Sequence, residues 1–224
     1  MSSLTSAASD PAEEDHQSYD PVVADKQPAV YLLRHGETEW SLSGRHTGRT
    51  EVPLTVIGEQ QARKAGAVLT ELRGTTVPPA LVLSSPRERA RRTAELAGLR
   101  VDMATEALSE WDYGEYEGLT TAEIRRETPD WTVWTHPVSG GEKAEEVANR
   151  ADDVIATARG ALARGDVVLI GHGHFSRVLI ARWLGLAPGA GGYFGLDPAG
   201  ITALGEEHGQ PQIRRLNVPP LGGE

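Results

Sequence analysis

Cysteine is absent from the 224 residues. That absence removes disulfides, a thiolate nucleophile, thiolate-bound zinc and iron–sulfur clusters from the available chemistry. Aromatic residues are scarce at 5%, and hydrophobic residues reach only 39%, a slightly lean core for a soluble globular chain. No long uninterrupted apolar run occurs, so no segment reads as a membrane-spanning helix. No basic stretch precedes an apolar one near the N-terminus, so no secretory signal is read and the chain is expected to be cytoplasmic. Positive charge is also short: 22 Lys and Arg face 32 Asp and Glu, a net charge of −10. That balance disfavours nucleic acid and anionic membranes as partners. A chain this acidic that binds a phosphorylated molecule must gather its arginines into one pocket.

Six of the acids (Asp10, Glu13, Glu14, Asp15, Asp20, Asp25) and one base (Lys26) fall within residues 1–28, which have no hydrophobic period. This stretch reads as a disordered acidic tail, and residues 29–224 as one domain. Beyond it, strand and helix signals alternate. Ala29–Leu33, Leu81–Leu83 and Val167–Ile170 are short apolar runs that suit buried strands. Ala62, Ala65, Leu69 and Leu72 recur at helical spacing between Thr55 and Leu72. Ser85, Pro86 and Glu88 predict an N-cap, first turn and capping box for a second helix. Thr120 and Glu123 predict another box, with a stop before Pro129. Ser139 and Glu142 predict the start of a long helix carrying Val147, Ala151, Val154 and Ala158 and ending at Gly165. A further helix is expected from Phe175 to Leu184, and short strands and turns over the last 30 residues. Strand–helix alternation predicts an α/β domain with a mostly parallel sheet.

In such a sheet, ligands bind beyond the carboxyl ends of the strands. The first strand is followed by Arg34-His35-Gly36-Glu37-Thr38, the second by Ser84-Ser85-Pro86 and then Arg89, and the late strand by Gly171-His172-Gly173-His174. Parallel strands would bring two arginines and two histidines to one edge. Any one of these histidines alone is most simply a turn or surface residue. Arg34 at the end of an apolar strand, however, requires a partner, since an unpaired buried guanidinium is costly. Arg89 falls in the first turn of its helix, where the dipole favours an anion. Gly171 and Gly173 allow close backbone approach around His172. Two arginines and two histidines suit a phosphoryl group: the guanidinium fork matches phosphate oxygens, one neutral imidazole can attack phosphorus, and the other can donate to its oxygens. The leaving alkoxide then needs a proton. Glu110, Asp112, Glu115 and Glu117, in the loop from Leu108 to Gly118, are all candidates, and composition does not choose among them.

These motifs together resemble the histidine phosphatase superfamily, also called the phosphoglycerate-mutase-like family. "LLRHGETEW" is similar to its Arg-His-Gly-Glu-Thr hallmark, "SSPRERARRTAEL" to its Ser-Pro-x-x-Arg-Ala segment, "LSEWDYGEYEGLT" to its proton-donor loop, and "LIGHGHFSRVL" to its second His-Gly motif. "LTVIGEQQA" and the Gly-Gly-Glu at Gly140–Glu142 also fit, and the likeness runs over roughly 29–205. It implies a three-layer α/β/α fold with a mostly parallel central sheet. It implies His35 as the phosphorylated nucleophile, Arg34, Arg89 and His172 as the phosphate pocket, with His172 also among the catalytic groups, and Glu110 as acid and then base. It implies no metal and no cofactor. Ser41, His46, Thr47, Trp111, Tyr113, Gly173 and His174 are candidates for the wall of the substrate pocket by position.

Cofactor-dependent mutases of this family carry Asn at the position of Ser41, Arg at that of Trp111 and Asn at that of His174. They also carry a Lys- and Arg-rich insertion where this chain has Thr120 to Pro137. These departures favour a phosphatase acting on small phosphomonoesters, sugar phosphates among them, with the pattern nearest to the phosphoglycerate-mutase-like acid phosphatases. Phosphoglycerate mutase is the runner-up. A metal-dependent hydrolase using His172 and His174 is the alternative of another class, weighed against by arginines that would repel a cation. A nucleotide-binding module around Gly171 and Gly173, or a phosphoprotein-binding relative without activity, ranks lower. A homodimer is one option for the oligomeric state.

Overall fold

A computed structural model describes residues 27–220, so the acidic tail expected over 1–28 lies almost wholly outside the described residues. Six strands form one sheet: β1 (Val30–Arg34), β2 (Leu81–Ser84), β3 (Met103–Ala104), β4 (Val167–Gly171), β5 (Ile201–Glu207) and β6 (Gln210–Val218). The order across the sheet is β3-β2-β4-β1-β5-β6. The first four strands run parallel, while β5 and β6 add an antiparallel edge. The helices are α1 (Glu39–Leu42), α2 (Val56–Arg73), α3 (Glu88–Leu96), α4 (Thr121–Ile124), α5 (Ala144–Leu162) and α6 (Gly173–Trp183). Among the described residues no helix is long and apolar enough to cross a membrane.

Alternation along the central strands explains the layers, because successive side chains point to opposite faces. Val30 and Leu32 of β1, with Val167 and Leu169 of β4, join one core with Val147, Ala151 and Val154 of α5 and Phe175, Val178 and Leu179 of α6. Tyr31 and Leu33, with Val168 and Ile170, join a second core with Ala65, Val68 and Leu69 of α2 and Ala90 and Ala94 of α3. The sheet is thus covered on both faces, the arrangement that near-continuous apolar strands require. Each fully buried Leu or Ile contributes about 1.5–3 kcal/mol, so the two cores carry most of the stability.

Several local expectations are corrected. α3 begins at Glu88 with Arg87 at its N-cap and no side-chain cap. Ser85 does not cap it as a box because its hydroxyl is taken by His172 (2.7 Å to Nε2), with Arg87 N–H only at 3.3 Å. α5 begins at Ala144, not after Ser139: Glu146 accepts the Lys143 N–H at 2.8 Å, while Glu142 is bound to Arg150. It ends at Leu162, three residues before Gly165, whose N–H closes the turn onto the Leu162 carbonyl. α6 starts two residues earlier than expected, with His172 at its N-cap. The Thr120–Glu123 box is present but opens only a single turn. The chain end forms a hairpin of two strands, seven and nine residues long, rather than short pieces.

One contact governs how α2 meets the sheet edge. A Cβ on Gly58 would stand 2.0 Å from the Glu37 carbonyl oxygen, and one on Gly36 would stand 2.3 Å from that of Gly58. The helix therefore presses backbone to backbone against the segment that follows β1. Gly58→Ala is expected to cost roughly 2–3 kcal/mol through overpacking. At this size that lowers the melting temperature by about 5–10 °C. Calorimetry showing a shift under 2 °C would mean the contact relaxes freely.

Candidate active site

The parallel ladder sets the site. Arg34 lies opposite Gly171 in register, and the His35 N–H donates to the Gly171 carbonyl at 3.0 Å. His35 and His172 consequently leave neighbouring strands side by side, with ring centroids 5.2 Å apart. A cavity of about 230 Å³ opens over this edge. Arg34, His35, Ser41, His46, Thr47, Glu110, Tyr113, Gly173 and His174 line it, so nearly all the residues singled out by sequence reach one place.

His35 is buried, and its Nδ1 lies 2.7 Å from the Gly36 carbonyl oxygen. A carbonyl only accepts, so Nδ1 carries the proton and Nε2 keeps its lone pair. Burial, with Arg34 and Arg89 nearby, pushes the imidazole well below its ordinary pKa and keeps it neutral. Arg34 donates from Nη1 to the Leu196 carbonyl at 2.5 Å, while its buried Nε has no hydrogen-bond partner. An orphaned donor on a buried guanidinium is the mark of a site that expects an anion. Gly173 permits this placement: a Cβ there would stand 3.3 Å from Arg34 Cζ.

Arg89 and His172 lie deeper, fully buried beneath the cavity rather than in its wall. Arg89 donates to the carbonyls of Thr47, Gly48 and Thr50 at 2.9–3.0 Å and to His172 Nδ1 at 3.3 Å. His172 Nδ1 is thereby an acceptor, and its Nε2 proton points to Ser85 Oγ. Burial, then Arg89 and His35, depress this imidazole as well.

Geometry separates the four candidate acids. Glu110 alone among them lines the cavity, and its carboxylate accepts the backbone N–H groups of Trp111 (2.9 Å), His174 (3.0 Å) and Phe175 (2.7 Å). Two of those donors belong to the first turn of α6, where the helix dipole favours negative charge. Asp112 pairs with Arg49 at 2.7 Å, Glu117 ties down the N–H groups of Gly48 and Thr50, and Glu115 is exposed.

The pocket candidates divide. Tyr113 OH and His174 Nδ1 are 2.6 Å apart, and His46 packs on Tyr113 and Trp131 with its Nε2 3.3 Å from Thr121 Oγ1. Burial lowers the His46 pKa to about 4. Ser41 reaches the cavity, but its hydroxyl is bound to Thr38 within the α1 capping box. Trp111 does not line the pocket: it is buried in the α5–α6 core and donates its indole N–H to the Glu142 carbonyl. Alternation explains this, since Glu110 faces the cavity and the next residue must turn inward. His172 and His174 do not converge on a common ligand position, and no group of three or more His, Asp or Glu among the described residues is placed to hold a metal ion. Sequence reading missed Arg45, Thr121, Arg177 and Leu196 in the wall. Arg177 had a signal, lying four residues after Gly173 and hence on the same helical face; Leu196 sits in irregular chain and had none.

Comparison with known proteins agrees with this geometry. Residues 30–219 match the profile of the histidine phosphatase superfamily (branch 1). The chain is 49% identical over 194 residues to an acid phosphatase of Mycobacterium tuberculosis, covering 87% of this chain and 93% of that protein. It is 33% identical over 187 residues to sedoheptulose 1,7-bisphosphatase of Saccharomyces cerevisiae, covering 71% and 68% of the two. The solved structure of an open reading frame from Mycobacterium tuberculosis superposes with a TM-score of 0.83 at 46% identity, over 87% of this chain and all of that one.

Proposed function

The chain belongs to the histidine phosphatase superfamily, and from that premise we propose that it hydrolyses small phosphomonoesters, sugar phosphates among them, through a phosphohistidine on His35. The observation that carries the reading is the tautomer of His35. Its Nδ1 proton is fixed on the Gly36 carbonyl, so its Nε2 lone pair is the nucleophile offered beside Arg34.

The roles follow from position. Nε2 of His35 attacks phosphorus while the ester P–O bond breaks and Glu110 passes a proton to the leaving oxygen. Glu110 then takes a proton from water as that water attacks phospho-His35, the P–N bond breaks, and phosphate leaves with both histidine and acid restored. Arg34 holds the phosphoryl oxygens through its free Nε, and Arg89 supplies the positive charge of the floor, with neutral His172 beside it. Burial first, and then Arg89 and His35, depress His172; an arriving phosphoryl dianion offsets the charged part of that effect and so favours the protonated form that donates to an oxygen. Names borne by relatives, an acid phosphatase and a sugar bisphosphatase, support hydrolysis of this substrate class. Trp111 supports phosphatase over mutase, since the position where mutases carry an arginine is buried in core.

The test is phosphate release from 4-nitrophenyl phosphate in excess chelator, with 3-phosphoglycerate mutase turnover assayed on the same sample. Release without mutase turnover is expected. The depressed pKa of His35 also fixes a pH dependence. A histidine held well below 6.5 stays unprotonated in mild acid, so kcat/KM should not fall through the ordinary histidine range. An acid limb centred near pH 6.5 would contradict the neutral His35 described above.

A further inference from the structure

The Gly-Gly-Glu of residues 140–142 has no task in the reaction above, yet it is tied to the loop that carries the proton donor. Residues 109–113 belong to no helix or strand, so no ladder fixes Glu110. A cavity of about 400 Å³ adjoins this loop, with Ser109, Glu110, Asp112, Glu142 and Arg150 in its wall. Close packing therefore does not hold the loop on that side, and polar contacts must. Glu142 supplies several. Its carboxylate accepts the Asp112 N–H at 2.9 Å, its N–H donates to the Asp112 carbonyl at 3.0 Å, and its carbonyl accepts the Trp111 indole N–H at 2.9 Å. A Cβ on Gly141 would stand 2.2 Å from the Asp112 carbonyl oxygen, so only glycine lets the two segments meet.

Arg150, on α5, completes the mount, and all five of its N–H donors are spent. Nε and Nη2 donate to the two carboxylate oxygens of Glu142, each at 2.9 Å. The remaining protons reach the carbonyls of Ala107 (3.0 Å), Ser109 (2.9 Å) and Glu110 (3.4 Å). The guanidinium also lies 4.6 Å from the centre of the Phe175 ring. Phe175 in turn donates its backbone N–H to the Glu110 carboxylate at 2.7 Å. Arg150 thus touches both the loop that carries the acid and the helix turn that holds it. An ion pair serving stability alone would account for the bonds to Glu142. It would not account for three donors spent on the carbonyls of residues 107, 109 and 110. Arg150 stands outside the wall of the cavity over His35, so any effect on the reaction must pass through Glu110.

We propose that Arg150, braced by Glu142, is the positioning residue of the proton donor: it sets where the Glu110 carboxyl stands relative to the leaving oxygen. Misplacing a catalytic group by about 1 Å can cost roughly 10²-fold in rate. Loss of Arg150 should weaken proton transfer and leave phosphoryl binding at Arg34 intact. Lysine would keep the charge but not the planar fork that reaches several carbonyls at once.

The inference rests on the phosphatase reading, in which Glu110 protonates the leaving oxygen, and the experiment separates the two. Arg150→Met and Arg150→Lys are made in the wild-type chain and in Glu110→Gln. Each protein is assayed on phenyl phosphate and 4-nitrophenyl phosphate, two aryl esters of which the phenyl one depends far more on a proton for its leaving group. The readout is the ratio of their kcat/KM values, phenyl over nitrophenyl, from which any loss of active protein divides out. In the wild-type background Arg150→Met should lower this ratio by about tenfold, with Arg150→Lys between. In the Glu110→Gln background no acid remains to misplace, so Arg150→Met should leave the ratio within about twofold of that of Glu110→Gln alone. A ratio lowered by Glu110→Gln but unmoved by both Arg150 variants overturns the positioning role alone and leaves Arg150 a stabilising residue. A further fall in the Glu110→Gln background shows an effect not routed through the acid and overturns it as well. A ratio unmoved by Glu110→Gln itself overturns the assignment of the acid, and the positioning role with it. Should Arg150→Met fail to fold, as judged by its melting curve, Arg150→Lys alone decides by the same criteria. Failure of the phosphatase reading appears elsewhere, as absence of wild-type turnover on 4-nitrophenyl phosphate.

Discussion

Replacing His35 with alanine should abolish turnover, with kcat falling by roughly 10⁴–10⁶, the scale seen when a covalent nucleophile is removed. The other histidines at the site among the described residues have partners of their own, His46 with Thr121 among them. His172 is buried with Nδ1 toward Arg89 and Nε2 toward Ser85, and His174 is held by Tyr113. The backbone should survive the change, because the bond from residue 35 to Gly171 is made by the main chain. Quenching wild type in alkaline detergent with a radiolabelled substrate should trap a base-stable phosphoprotein whose label acid then releases, and the variant should trap none. Residual turnover above a hundredth of wild type would remove His35 from its role.

The second large effect belongs to Glu110→Gln, and it has two parts. Chemically, the amide cannot give a proton to the leaving group, which should cost about 10²–10⁴ for alkyl phosphates. Structurally, three backbone N–H groups now meet a side chain with one acceptor oxygen instead of two. A donor left facing the amide nitrogen costs about 1–3 kcal/mol. The two parts separate by leaving group. Nitrophenolate departs without a proton, so hydrolysis of 4-nitrophenyl phosphate should suffer only the structural part, while glycerol 3-phosphate should suffer both. Equal losses on the two substrates would show that Glu110 organises the α6 terminus and transfers no proton.

Much of this was legible in the sequence because strand ends mark the functional edge of a parallel sheet. Arg34, His35, Arg89 and His172 each follow an apolar strand, and the pairing of β1, β2 and β4 brings them together. The unread parts have physical causes. Ser85 and Glu142 carry good capping chemistry, but tertiary partners claim both side chains, so the helices start later. Glu110 could not be told from Asp112, Glu115 and Glu117 by composition, since what distinguishes it is which way the loop turns. Trp111 fails as a pocket residue for the same reason. Arg89 reads as a phosphate ligand by helix position, yet the structure spends most of its donors on the 47–50 loop and His172.

The pairing of β1 with β4 joins residues 137 apart in sequence, Val30 with Val167 at one end and Arg34 with Gly171 at the other. Contacts of such separation close late in folding, because the entropy of a long loop is lost before the contact repays it. Helices α2, α3 and α5 can begin to form locally without this pairing, but neither histidine has its neighbour until it is made. A slip of one residue would also exchange the two faces of β1, sending Tyr31 and Leu33 to the wrong core. Recovery of turnover after dilution from denaturant is therefore a reporter of in-register closure of the whole chain, later than any signal from helix content.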